Sequence, residues 1–297
     1  MQKVTLGKTG YQVSAVVYGG IISTSEGQQA SDRYVSWAID RGINYFDVAP
    51  SYGDAEEKLG QSLRPYRRDV YLACKTTERR REAAEKEIMS SLKLLQTDYF
   101  DNFQVHSVTT PEDIETAFGP GGTMELLLEL KQKGVLRKIG FSAHSEYAAL
   151  ELMKRYDFDT ALFSMNYLLD MGQGIGRDLA KLKKEKGFGL LGMKSIIERA
   201  WDNEQERQKS DYPKSWCKPF GLSDKDLRVA AMKYALNLGA DVLVPPGNYE
   251  NFKFMVEHID EVLKHPLGDQ DRALLLARFE QVRDKPFFLK NNGNWET

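Results

Sequence analysis

The sequence predicts an α/β protein folded as a (β/α)8 TIM barrel, with a parallel sheet and its active site at the C-terminal strand ends. Three observations lead there. Roughly eight short apolar runs alternate with charged amphipathic stretches, the pattern of a parallel sheet covered by helices. The 297 residues suit one barrel, which commonly fills ~250 residues, and no linker divides them. Polar residues capable of chemistry close several successive runs, as they do around a barrel mouth. Residues 1–297 are therefore read as a single barrel domain, with a doubly wound open sheet as the alternative.

The apolar runs fall at 13–18, 44–48, 70–74, 100–105, 138–141, 160–164, 189–193 and 241–244. Ser31 is placed to cap a helix over 32–41, and Gly42 offers the left-handed stop that ends one. Helical spacing over 82–95 follows the third run, and a further helix over 125–132 ends at Lys133-Gly134. Ser145 caps 146–156, the segment 222–238 stops at Gly239, and 251–263 follows the last run. Two connections exceed the usual ~2–6 residues. One is 107–122. The other, about 196–221, carries Trp201, Tyr212, Trp216 and Phe220. Both follow strands, so both overhang the expected active face, as pocket walls or as surface excursions.

Composition removes several classes. Lys plus Arg number 41 against 43 Asp plus Glu, a net charge of −2, which argues against a dedicated nucleic-acid binder. Two Cys and four His, with no C-x-x-C or H-E-x-x-H, predict no metal site. Cys74 and Cys217 do not suggest a disulfide scaffold, so a cytoplasmic location is expected. No run of about 20 apolar residues suggests a membrane span, and no apolar signal region follows the first residues.

The chemistry concentrates at four run ends. Asp47, Lys75, His106 and Ser142 lie 28, 31 and 36 residues apart, each interval about one strand-helix unit. Tyr52 follows Asp47 in the turn Ala49-Pro50-Ser51-Tyr52-Gly53, which can return the phenol over the mouth. A lysine beside a tyrosine favours phenolate and is expected to lower its pKa. A carboxylate would keep that lysine charged and placed. Asp47, Lys75 and Tyr52 thus form a general acid able to protonate a developing alkoxide, with His106 polarising the carbonyl. Taken singly, Asp47 and Lys75 also suit a rim ion pair, His106 a core histidine and Tyr52 an ordinary turn residue.

These residues, with Leu6-Gly7-Lys8-Thr9-Gly10, the stretch Asn44 to Gly53, Asp98-Tyr99-Phe100-Asp101 and Gly134 to Ser142, resemble the aldo-keto reductases. The resemblance covers nearly the whole chain. It implies an NAD(P)H-dependent oxidoreductase that reduces an aldehyde or ketone, or oxidises the alcohol. Tyr52 would be the proton donor, with Asp47, Lys75 and His106 as its catalytic partners. It implies NADP as cofactor, with NAD the alternative, and a small-molecule carbonyl or alcohol as substrate. Ser142 matches the family's nicotinamide-binding serine, while Ala143 and Leu162 stand where Asn and Gln are usual. Asn166 or His144 would compensate. Gly247, Asn248, Lys253 and Lys194 are the candidates for contacting cofactor phosphates. Trp295, Trp216 and Tyr212 are candidate substrate walls.

Gly187-Phe188-Gly189-Leu190-Leu191-Gly192 satisfies G-x-G-x-x-G, yet it follows a helical segment and itself reads as strand, so a Rossmann site is not expected there. A nicotinamide-binding regulatory subunit resembling potassium-channel β-subunits is the alternative function. A barrel lyase or isomerase using the same Lys and Asp is a third.

Overall fold

The computed structural model describes residues 1–290. Eight parallel strands follow one another around one sheet: β1 Tyr18–Gly19, β2 Tyr45–Asp47, β3 Tyr71–Thr76, β4 Asn102–Val108, β5 Ile139–Ala143, β6 Thr160–Ser164, β7 Gly189–Met193 and β8 Val242–Val244. A parallel bridge between Val16 and Leu243 joins the two ends. There Val17 N–H donates to Leu243 O at 3.0 Å and Leu243 N–H to Ala15 O at 2.9 Å, closing the barrel. Strands β6 and β7 have the predicted bounds, whereas β3, β4 and β5 run two or three residues further toward the mouth.

The first predicted strand divides in two. Gln12–Ser14 pairs antiparallel with Lys3–Thr5, and only Tyr18–Gly19 enters the barrel sheet. The hairpin has a packing reason. Leu6 and Val13 are buried in one cluster with the strand residues Tyr45, Ala73, Leu191 and Val242, plugging the end opposite the mouth. Asn44 fastens the plug, accepting Ser14 N–H at 2.7 Å and donating to Gln12 O at 2.9 Å.

An outer layer of helices packs against the other face of the strands, and the largest apolar cluster lies between them. Gln28–Asp40 begins earlier than predicted, so Ser31 is not its cap. Ser31 is instead a buried link between Ser23 and Ser62, with Oγ–Oγ distances of 3.0 Å on both sides. The Ser145 cap of Glu146–Arg155 forms as expected, with Ala148 N–H donating at 3.4 Å. Gly187 ends Arg177–Lys186 at φ 73° and Gly189 opens β7, so the glycine motif is a helix stop and a strand entry. The 107–122 connection folds into a helix, Pro111–Phe118, started by a Thr110–Asp113 capping box. The 196–221 connection holds a short pairing of Ile197–Arg199 with Lys218–Pro219 and the helix Glu204–Gln208.

Below the mouth, Asn102 donates to Tyr45 Oη at 3.0 Å and Thr160 Oγ1 at 2.9 Å inside the barrel. Gly140 lies flush against this polar layer: a Cβ there would fall 2.1 Å from Thr160 Oγ1. Near the closed end, the buried Asp101 carboxylate accepts from Arg67 at 3.1 Å, Arg137 at 2.7 Å and Leu72 N–H at 2.9 Å. Asp101→Ala would take the Leu72 amide's acceptor and leave Arg67 without a counter-charge, held only by Thr97 Oγ1, Val70 O and Tyr99 O. It is expected to cost about 3–5 kcal/mol in denaturant unfolding, the penalty for breaking a buried ion pair. A loss under about 1 kcal/mol would show that this junction does not hold the strands.

Candidate active site

The end of β2 supplies Asp47 and the end of β3 supplies Lys75. Both side chains are buried, and Lys75 Nζ donates to Asp47 Oδ2 and, at 3.1 Å, to Val48 O. Gln104 donates to the other Asp47 oxygen at 2.8 Å, so the carboxylate is held on both sides. Burial works against the Lys75 ammonium, but Asp47 and then Tyr52 outweigh it and keep its pKa above the ordinary value. Tyr52 sits in the predicted turn, with its N–H on Ala49 O at 3.0 Å and Gly53 at φ 58° beyond it. Its ring centroid lies 5.0 Å from Lys75 Nζ and 6.2 Å, edge to face, from His106. The expected fall in the tyrosine pKa does not follow. Burial raises it, and Lys75 opposes that rise without cancelling it. The phenol is thus held protonated beside a cation that would stabilise the phenolate as it forms.

His106 is aimed by a local irregularity. The pairing of β4 with β5 shifts register between Val105 and Val108, and Ser107 takes φ 52°. Bulges of this kind re-aim a side chain at strand ends. Arg79 clamps the bulge, donating to His106 O at 2.7 Å. Ser142 Oγ accepts Ser107 N–H at 2.8 Å and meets His106 Nδ1 at 2.6 Å. The tautomer in which the serine proton goes to Nδ1 puts the ring proton on Nε2, and it is the one that can serve as a donor at the mouth.

Burial, reinforced by the Lys75 charge, holds the His106 pKa at about 2. Burial and then Lys194 hold His144 at about 3. Both imidazoles are therefore neutral when folded, while an unfolded histidine takes up a proton near pH 6.5. As pH falls below ~6.5 the unfolded chain binds protons first, so their contribution to stability is lost progressively. Lowering pH from 6.5 to 5 is expected to remove about 2 kcal/mol through His106 alone. His106→Asn should flatten the dependence of unfolding free energy on pH in that window. An unchanged slope would contradict the assignment.

Tyr52 and Asp47 line a cleft of ≈ 640 Å³, open to solvent, together with Gly19, Ile21, Leu162, Met193 and Val244 to Gly247. Residues Lys214 to Cys217 also line it. Lys214 Nζ crosses to Thr24 O at 2.5 Å and Glu26 Oε1 at 2.6 Å, while Thr24 Oγ1 donates to Tyr52 O at 2.9 Å. The 196–221 excursion is thus tied to the loop after β1 and, through it, to the tyrosine turn.

The cofactor candidates are placed unequally. Gly247 and Lys194 line the cleft. Asn248 stands next to Gly247, but its side chain caps Tyr249–Lys264 by accepting Asn251 N–H at 3.0 Å. Lys253 lies further along that helix, away from the cleft-lining residues. Asn166 is fully buried: it accepts Leu168 N–H and donates to Lys194 O and Ile197 O, each at 2.8 Å. It therefore positions the Lys194 segment and has no donor left to offer a ligand. Trp216 lines the cleft and Tyr212 does not. Trp295 lies outside the described residues.

Gln104, Arg79 and Lys214 join the site without having been singled out in the sequence. Gln104 had a signal, since it lies two residues before His106 on the same strand face. Among the described residues, no helix is long and apolar enough to cross a membrane, and no group of three or more His, Cys, Asp or Glu could hold a metal ion.

A barrel with these residues at its mouth agrees with comparison to known proteins. The Aldo/keto reductase family model matches residues 18–252, and the chain belongs to that family of oxidoreductases. Among characterised sequences it is similar to aldo-keto reductase YhdN of Bacillus subtilis (strain 168), 32% identical over 49% of this chain and 48% of that protein. It is also similar to L-galactose dehydrogenase of Arabidopsis thaliana, 35% identical over 63% of this chain and 62% of that protein. The chain spans about half the length of the first of these curated relatives and rather more of the second. The holo form of aldo-keto reductase AKR11C1 from Bacillus halodurans superposes over the full length of both chains, with TM-score 0.72 and 22% identity, a likeness of fold.

Proposed function

We propose that this protein is an NAD(P)H-dependent reductase of aldehydes or ketones, with Tyr52 as proton donor. The observation that carries the reading is the convergence of Tyr52, Lys75, Asp47, Gln104 and His106 beside a cleft that Tyr52 and Asp47 line. The residues fit a nicotinamide dinucleotide. The apolar walls Ile21, Leu162 and Met193 suit a flat ring beside Tyr52. In the same cleft Gly247 presents backbone close to the start of a 16-residue helix, where phosphate is favoured. Ser142, with one lone pair uncommitted, is the group for the carboxamide. When bound, the nicotinamide would supply the hydride.

The protein's own part is the proton and the electrostatics. His106 Nε2–H donates to the substrate oxygen and polarises the carbonyl. Tyr52 Oη releases its proton to that oxygen as negative charge develops there. Lys75 stabilises the phenolate left behind, and Asp47, held by Gln104, keeps the ammonium in position. Family resemblance favours NADP(H) over NAD(H). A panel of aldehydes and ketones followed by nicotinamide absorbance with both cofactors tests the reading. Turnover with a lower Kd for NADP(H) is expected. Tight cofactor binding without turnover of any carbonyl would overturn the reductase assignment, and tighter NAD(H) binding would overturn the cofactor preference.

A further inference from the structure

A second cleft adjoins the first. Lys194, Trp216 and Cys217 line both, so the two share these residues at the mouth. The walls of the second are aromatic, from Trp201, Trp216, Phe287 and Phe288, and its charged and imidazole groups are Lys194, His144, Glu204 and Arg207, the last two paired with each other at 3.3 Å.

Lys194 is unusual in three ways. It makes no ion pair among the described residues; its Nζ rests 3.4 Å from Met193 Sδ and 4.8 Å from the centre of the Phe288 ring. Its backbone takes φ 63°, a conformation that side-chain-bearing residues rarely adopt and that is held mainly where surroundings enforce it. The enforcement is visible: Asn166 Nδ2 and Ile197 N–H both donate to Lys194 O, at 2.8 and 3.1 Å. Beside it, His144 Nδ1 is enclosed with no hydrogen-bond partner among the described residues, its ring 4.9 Å from Phe288. An ammonium without a counter-charge and an imidazole nitrogen without a partner, among the described residues and between aromatic walls, are the complement of an anion on a flat apolar body. The ammonium lies over Phe288, which lines the second cleft and not the first.

We infer that Lys194 is a specificity residue that binds a carboxylate on the substrate, so that the preferred substrates are aromatic or similarly flat carbonyl compounds bearing a carboxylate. This rests on the carbonyl-reduction reading. The carboxylate occupies the Lys194 cleft while the carbonyl extends past the shared residues toward Tyr52 and His106.

The test compares kcat/KM for 4-carboxybenzaldehyde with that for its neutral methyl ester, in wild type, Lys194→Met and Lys194→Arg. Wild type is expected to favour the acid at least tenfold. Lys194→Met should lose that preference, chiefly through KM, and Lys194→Arg should retain part of it. The cofactor Kd should move less than threefold in either variant. An undiminished preference in Lys194→Met overturns the inference, as does a cofactor Kd raised tenfold, which would make Lys194 a cofactor-phosphate ligand. A separate binding measurement needs neither turnover nor a folded variant. Trp201 and Trp216 line the cleft, so their fluorescence in wild type should report benzoate binding at least fivefold tighter than benzamide. Equal affinities would overturn the inference even in an active enzyme. Benzoate preference without reduction of any aldehyde would instead retain the anion site and remove the reductase reading.

Discussion

Tyr52→Phe is expected to lower kcat for carbonyl reduction by about 10²–10⁴-fold, the usual worth of a positioned general acid, while cofactor binding persists. The substitution removes one oxygen and keeps the ring that meets His106 edge to face and lies 5.0 Å from Lys75 Nζ. The loss should therefore fall on the chemical step. Burial raises the phenol's pKa, so the donor carries its proton across the neutral range and is limited by how well Lys75 receives the phenolate. A Tyr52→Phe protein with full turnover would assign the proton to another group. His106, neutral and with Nδ1 committed to Ser142, would be the first to test.

Lys75→Met is expected to damage both activity and stability. Lys75 is fully enclosed, and its removal leaves the Asp47 carboxylate buried with Gln104 as its remaining side-chain donor. Breaking a buried pair from one side costs about 3–5 kcal/mol. The same change removes the cation that stabilises the Tyr52 phenolate, so turnover should fall at least as far as in Tyr52→Phe. The double variant Lys75→Met with Asp47→Asn separates the effects. Neutralising the stranded carboxylate should restore part of the stability and none of the activity. Denaturant midpoints and kcat for the single and double variants are the measurements. Wild-type stability in Lys75→Met, or turnover recovered in the double variant, would contradict the account.

Much of the barrel is legible in the sequence because parallel strands buried on both faces read as short apolar runs. The mouth ends are less legible. Lys75-Thr76, Ser107-Val108 and Ser142-Ala143 extend their strands with polar or small residues that resemble loop, so the predicted strands stop early. The Val13 run misleads for the opposite reason: an apolar plug strand has the same texture as a barrel strand. The catalytic candidates stand out through their spacing. Arg79 and Lys214 do not, because they act across 27 and 190 positions. Asn166 and Asn248 carry an ambiguous signal, since an asparagine just before a helix serves equally as cap and as ligand, and both serve as caps here. The tyrosine pKa had the right neighbours but the wrong direction, because spacing reveals a lysine and not the burial that outweighs it.

The central claim is that Tyr52 protonates, within the Asp47–Lys75–His106 setting, the carbonyl that receives hydride from a bound nicotinamide. A single turnover with NADPH carrying deuterium at both C4 positions and a simple aldehyde tests it most directly, run on wild type and Tyr52→Phe. The account predicts one deuterium on the carbinol carbon of the wild-type product, and the same product at least a hundredfold more slowly from Tyr52→Phe. Product without deuterium, or equal rates from the two proteins, would contradict it.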